Sequence, residues 1–194
     1  MKRLILVGGR PWEGTEAKRL VSAILRDSGA SVNIALCLFA VPERDRDQTR
    51  SWNIDRFSHY CDPKRLHWKV LATEDFAATS SWAHIIYIPG GATHVLREQL
   101  ASYPELDRLW DNKTIAGSSA GAVSLCTQYV YLQNKTFGEG LGWVPVSAIP
   151  HYRDAFEDYT DQDWSYLEAE LLKRRPDLPV VGIPEGHFVE VIIS

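Results

Sequence analysis

The sequence predicts an α/β protein: a mostly parallel sheet between two layers of helices, a single three-layer α/β/α domain over residues 1–194. Three observations carry that reading. Short runs that are almost wholly apolar alternate with stretches of helical spacing. Several of those runs end abruptly in glycine. The composition, 45% hydrophobic and 24% charged over 194 residues, suits one globular core and not a disordered chain.

Each element follows from its own pattern. Residues 3–7 form a buried strand that stops at Gly8-Gly9. Residues 15–27 carry Ala17, Leu20, Val21, Ile24 and Leu25 at helical spacing. A second strand is expected over 32–41, closed by Pro42, then a charged and aromatic helix over 43–60 and a third strand over 67–72. Residues 85–88 are a fourth strand running into Pro89-Gly90-Gly91, helices follow at 93–101 and 104–110, and residues 114–116 feed the next turn. Beyond Ala122 the pattern loosens. A strand is expected at 128–131, a glycine- and proline-rich stretch over 137–150, a helix at 159–173, and closing strands at 179–183 and 187–193.

Bulk properties exclude several functions. A formal net charge of −4 steers the chain toward neither nucleic acid nor an anionic membrane. The basic run Lys173-Arg174-Arg175 sits at the end of an expected helix, where cations complement the free carbonyls. No apolar run approaches membrane-spanning length, and the N-terminal one is too short for a signal peptide. Cys37, Cys61 and Cys126 are odd in number and far apart, which suits a reducing compartment; a cytoplasmic protein is expected. Without C-x-x-C, H-E-x-x-H or G-x-G-x-x-G spacing, neither a metal nor an organic cofactor is expected.

The most informative stretch is Gly117-Ser118-Ser119-Ala120-Gly121-Ala122, directly after the apolar residues 114–116. A strand that breaks here and opens into a helix lifts one serine out of the sheet, and the small neighbours let backbone crowd around it. The G-x-S-x-G register selects Ser119 as a candidate nucleophile. A serine hydroxyl also needs a base, an acid that orients the base, and donors for a developing oxyanion. His151 after Ile149-Pro150 and His187 after Glu185-Gly186 are candidate bases. Glu185, between Pro184 and Gly186 after an apolar strand, is a carboxylate that an imidazole would satisfy.

Taken together, Gly-Ser-Ser-Ala-Gly-Ala at 117–122, Ile-Pro-His-Tyr at 149–152 and Gly-Ile-Pro-Glu-Gly at 182–186 resemble the peptidase E family of serine aspartyl dipeptidases, with cyanophycinase a more distant relative. Pro89-Gly90-Gly91-Ala92-Thr93 resembles that family's glycine turn. The resemblance runs from about Leu4 to Val191. It implies a class I glutamine amidotransferase-like, flavodoxin-like fold and a Ser119–His151–Glu185 triad, with His187 the second choice of base. It also implies backbone donors at Gly91 and Ala120, a substrate pocket near Gly90 and Ala92, and a short peptide as substrate.

Three positions depart from the family. Ala92 stands where an asparagine is common, Asn134 where the family has an aspartate, and Trp164 where it carries an arginine near the start of a helix. If that arginine grips the acidic side chain of the substrate, its loss removes a bidentate fork. Trp164 becomes a candidate substrate contact, and preference is expected to shift from an N-terminal Asp toward apolar or aromatic residues. Relatives often continue past the position of Ser194, which implies a more open site or one covered by a second copy in a homodimer. Two other readings stand beside the exopeptidase: a serine hydrolase of another acyl substrate, and a non-catalytic binding protein on the same fold. A glutamine amidotransferase is weaker, because the elbow holds serine and Cys126 is expected well inside the following helix.

Overall fold

The computed structural model describes residues 1–9, 14–154 and 159–193. The first part of the chain lays down β1 (Lys2–Val7), α1 (Gly14–Ile24), β2 (Val32–Leu36), α2 (Arg46–Tyr60), β3 (Leu66–Val70), α3 (Phe76–Trp82), β4 (Ile85–Ile88), α4 (Thr93–Ala101), α5 (Leu106–Leu109) and β5 (Thr114–Ser118). The remainder adds α6 (Ala120–Val123), β6 (Cys126–Tyr131), β7 (Thr136–Glu139), β8 (Val144–Pro150), α7 (Asp161–Arg174), β9 (Val180–Ile183) and β10 (Phe188–Ile193).

Two sheets result. A six-stranded sheet has the order β10-β1-β5-β4-β2-β3, all parallel except β10, which pairs antiparallel with β1. A four-stranded sheet has the order β7-β6-β8-β9, parallel apart from β7. The near-continuous apolar strands of the first sheet follow from burial on both faces. Leu4, Leu6, Ile86, Ile88 and Ile115 pack with Leu96, Leu100 and Trp110, and with Cys126, Tyr129 and Ala148 of the second sheet. Their alternating neighbours Ile5, Val7, Ile34, Ile85 and Tyr87 pack instead on Leu20, Val21 and Ile24 of α1 and Phe57 of α2. A third core joins Val130, Leu132 and Ile149 to Trp164, Leu167 and Leu171 of α7. A Thr160–Asp163 capping box starts α7, in which Asp163 takes the Thr160 N–H at 2.9 Å.

The mostly parallel α/β class is as the sequence predicts, and three local expectations change. The second strand stops at Leu36, because residues 37–41 are apolar as a buried turn: Val41 N–H reaches the Leu38 carbonyl at 2.9 Å, and the Ala40 carbonyl accepts from Ala92. The helix after the elbow spans only Ala120–Val123, so Cys126 opens β6 instead of lying in a helix. The stretch at 137–150 holds two strands. Gly138, Gly140 and Gly142 disguise them, yet a Cβ at Gly138 would meet the Tyr129 ring at 2.5 Å, so the strand needs glycine there. Among the described residues no helix is long and apolar enough to cross a membrane.

Candidate active site

Ser119 sits at φ 50°, ψ −112°, a backbone region that non-glycine residues seldom occupy. Two backbone bonds hold it there. Its N–H donates to the Val7 carbonyl at 2.9 Å, and its carbonyl accepts from Val123 at 3.0 Å. The flanking glycines make the turn sterically possible. A Cβ at Gly117 would lie 2.3 Å from Gly121 backbone, and one at Gly121 would lie 2.1 Å from the Ile88 carbonyl oxygen. The G-x-S-x-G spacing is therefore a packing requirement between β4, β5 and α6.

The other two side chains arrive from the second sheet. β8 and β9 are parallel neighbours with Pro150 paired to Ile183, so the residues just beyond emerge side by side. His151 follows at φ 50°, its N–H bonded to the Gly8 carbonyl at 2.8 Å. Its Nε2 lies 2.8 Å from Ser119 Oγ and its Nδ1 lies 2.6 Å from Glu185 Oε1. With Glu185 ionised, Nδ1–H donates to the carboxylate and Nε2 is left to accept from the serine hydroxyl. The imidazole and the carboxyl are only 16% and 32% exposed. The Glu185 N–H in turn donates to the Asp154 carboxylate, which fixes the turn that carries the acid.

Gly91 and Ala120 line the same cavity as Ser119 and His151. Ala120 opens α6, so its N–H has no intrahelical acceptor. Among the described residues neither the Gly91 N–H nor the Ala120 N–H finds an acceptor. Gly91 adopts φ 145°, and a Cβ there would strike the Ala40 carbonyl oxygen at 2.2 Å. Gly90 lies beneath Ser119: a Cβ there would be 3.4 Å from Ser119 Cβ. The cavity, about 330 Å³, is walled by Ala40, Pro42, Ala92, Val123, Val130 and Leu132, and among its described lining residues there is no Lys, Arg, Asp or Glu.

Other candidates stand elsewhere. Trp164 is 2% exposed, packed against Tyr152 and Tyr159 in the α7 core, and does not line the cavity. His187 shares the Glu185 turn, its Nδ1 3.0 Å from the Glu185 carbonyl oxygen, while the contact with Ser119 Oγ is made by His151. Asn134 closes its own turn by accepting from the Thr136 N–H at 3.2 Å and lines a neighbouring hollow. Cys126 is fully buried, and burial pushes its thiol up to about 12. Two contributors escaped the sequence reading. Gly9 underlies the imidazole, since a Cβ would sit 2.3 Å from His151 Cε1, and Asp154 anchors Glu185. The Gly8-Gly9 pair after the first strand was a visible signal; Asp154 had none.

A strained serine at the carboxyl edge of a parallel sheet, in hydrogen-bond contact with a histidine that contacts a glutamate, is the arrangement that serine hydrolases build. The chain belongs to peptidase family S51, which matches residues 5–193. It is similar to peptidase E of Salmonella arizonae, 30% identical over 119 residues covering 56% of this chain and 52% of the relative. Peptidase E of Salmonella newport matches to the same extent. The chain spans about half the length of the curated relatives it matches. In fold it resembles a crystal structure of a peptidase from an acI-B1 Actinobacterium, with TM-score 0.70 and 21% identity over 100% of this chain and 88% of that one. It also resembles a candidate peptidase E protein from Listeria monocytogenes, with TM-score 0.66 and 16% identity over 100% of both chains.

Proposed function

We propose that residues 1–194 form one catalytic unit, a cytoplasmic serine exopeptidase that cleaves short peptides from an apolar N-terminal residue. The single observation that carries the reading is the unbroken contact from Ser119 Oγ through His151 to Glu185. In this reaction His151 Nε2 takes the hydroxyl proton as Ser119 Oγ bonds to the scissile carbonyl carbon. Glu185 stabilises the imidazolium at Nδ1, and the Gly91 and Ala120 N–H groups receive the oxyanion. The imidazolium then protonates the departing amine as the C–N bond breaks, leaving an acyl-enzyme. Water attacks that ester by the same route, His151 taking its proton and returning it to Ser119.

The substrate preference follows from the cavity wall. An N-terminal Asp needs a cation, and the described lining residues supply none, whereas Val123, Val130 and Leu132 offer apolar contact. Two measurements test the proposal. A fluorophosphonate probe is expected to label Ser119, located by peptide mass spectrometry, and to leave Ser119→Ala unlabelled. In a dipeptide panel, kcat/KM for Leu-Xaa is expected to exceed that for Asp-Xaa. An unreactive wild type refutes the nucleophile, and an Asp preference refutes the specificity.

A further inference from the structure

Residues 151–154 make a turn that needs outside support. His151 and Arg153, neither of them glycine, adopt φ 50° and φ 58°. The turn is closed internally by a long bond, from Asp154 N–H to the His151 carbonyl at 3.3 Å. Left-handed backbone is costly for a residue with a side chain and persists where the surroundings impose it. His151 opens this turn, so whatever imposes the turn also aims the imidazole.

Those surroundings are the segment that carries Glu185. Tyr152 N–H donates to the Ile183 carbonyl at 3.1 Å. The Tyr152 ring lies on Gly182: a Cβ there would be 2.3 Å from Tyr152 Cγ, so the ring fills the space in which any side chain would start. Asp154 accepts from the Glu185 N–H, which leaves Glu185 Oε1 to the imidazole. Residues 182, 183 and 185 are thus each engaged by Tyr152 or Asp154. A one-residue slip between β8 and β9 would set a side chain against the ring and take Asp154 off its donor. The phenol end is tied to α7, where the Tyr152 hydroxyl donates to the Glu168 carboxylate and accepts from Arg153 Nε at 2.8 Å. Burial, and after it the bond to Glu168, raise this phenol above its ordinary value, so it keeps the proton it donates.

We infer that Tyr152 and Asp154 are positioning residues, which latch the His151 turn onto residues 182–185 and so set the imidazole–carboxylate contact behind Ser119. They act through His151 and Glu185. The inference rests on the peptidase reading of Ser119 and deepens it by naming what aligns its histidine with its glutamate.

The test compares Asp154→Ala, Asp154→Asn and Tyr152→Phe with the wild type. Without an acceptor for the Glu185 N–H, Asp154→Ala is expected to react with a fluorophosphonate about tenfold more slowly at Ser119. Its kcat for Leu-Ala should fall by a similar factor with KM nearly unchanged, a split that a loss of stability alone does not produce. Asp154→Asn keeps an acceptor oxygen and is expected to recover to within about threefold of the wild type. Tyr152→Phe keeps the ring on Gly182 but gives up the tie to Glu168, and a loss of about threefold is expected. A wild-type rate in Asp154→Ala, or an asparagine variant as slow as the alanine one, overturns the latch, and an unchanged Tyr152→Phe overturns its tie to α7. The low-field proton NMR resonance of His151 Nδ1–H reads the same contact without turnover. Its weakening in Asp154→Ala supports the latch even where wild-type Ser119 is unreactive, an outcome that refutes the peptidase reading alone. A resonance unaltered in Asp154→Ala rejects the latch.

Discussion

The two sheets both end at the candidate active site, but they hold their share of it by different means. β4 and β5 of the six-stranded sheet are buried along almost their whole length, whereas β7 and β9 of the four-stranded sheet are half-covered. The strained backbone of Ser119 is held on the first sheet, where packing on both faces over-determines it. His151 and Glu185 stand on the thinner sheet and are positioned by bonds back to the first: His151 N–H to Gly8 at 2.8 Å and Gly186 N–H to Gly9 at 3.4 Å. Ser119 at φ 50° is held by packing on both faces of its sheet, whereas His151, also at φ 50°, is held by backbone contacts across the seam.

The largest expected effect tests the stored strain. Ser119→Ala should lower kcat/KM by about 10³- to 10⁴-fold or more with little change in stability. Ser119→Gly should be equally inactive but more resistant to urea than Ser119→Ala, by about 1 kcal/mol, because glycine accepts φ 50°, ψ −112° without penalty. A glycine variant less stable than the alanine one would mean that the first sheet holds no such strain.

The seam itself is tested next. Gly9→Ala puts a methyl 2.3 Å from His151 Cε1 at φ 146°, and the imidazole must move off Ser119. A displacement of about 1 Å is expected to lower kcat about 100-fold. Gly142→Ala is the control from the second sheet's approach to β8. It has φ 72° but nothing within 4 Å, so about 1 kcal/mol of stability should be lost with kcat unchanged. Urea melts and steady-state kinetics on both variants separate strain from misalignment.

The same contrast explains what the sequence made legible. Strands buried on both faces write themselves as apolar runs, so residues 85–88 coincide with β4, and α4 begins and ends where its spacing says. The elbow was readable because Gly117, Ser119 and Gly121 act within five residues of one another. β7 was not, because it is four half-covered residues with Gly138 among them, and β8, though long and largely buried, is disguised by Pro145 and by Gly140 and Gly142 just before it. The meeting of His151 with Glu185 depends on the register of β8 against β9, thirty-four residues apart. No local pattern encodes that pairing, and only the family resemblance pointed to it. Trp164 stood out by contrast with an arginine in that family, but a large apolar side chain on α7 had a core to fill.

That core yields a smaller, discriminating effect. Trp164→Ala and Trp110→Ala should each cost about 3–5 kcal/mol in urea denaturation, since both indoles are almost wholly buried. Trp110 belongs to the core between the sheets, its Nε1–H donating to Ser80 Oγ at 3.0 Å. Trp164 packs on Tyr152, the residue next to His151, at 5.6 Å between ring centroids. Only Trp164→Ala is therefore expected to lower kcat per folded molecule, by severalfold. Equal kcat losses would show that the thin sheet has no special hold on His151.

The smallest effect reads how firmly the two sheets dock. Cys37 follows β2 and Cys126 opens β6, and both are fully buried in the core that the sheets share. Burial pushes both thiols from 9.0 up to about 12, while Cys61, partly exposed at the C-terminal end of α2, is raised less. A raised folded-state value means that the stability gained by keeping these thiols protonated is complete below pH 9 and lost as pH climbs toward about 12. At pH 8, iodoacetamide should modify Cys61 first and leave the other two protected until the structure opens. In mild urea Cys126 should become reactive before Cys37, because freeing it requires only that the half-covered sheet lift away, whereas Cys37 is released by loss of the six-stranded sheet. Simultaneous release of both would show instead that the sheets unfold as one cooperative unit, and that the difference in coverage stops short of a difference in stability.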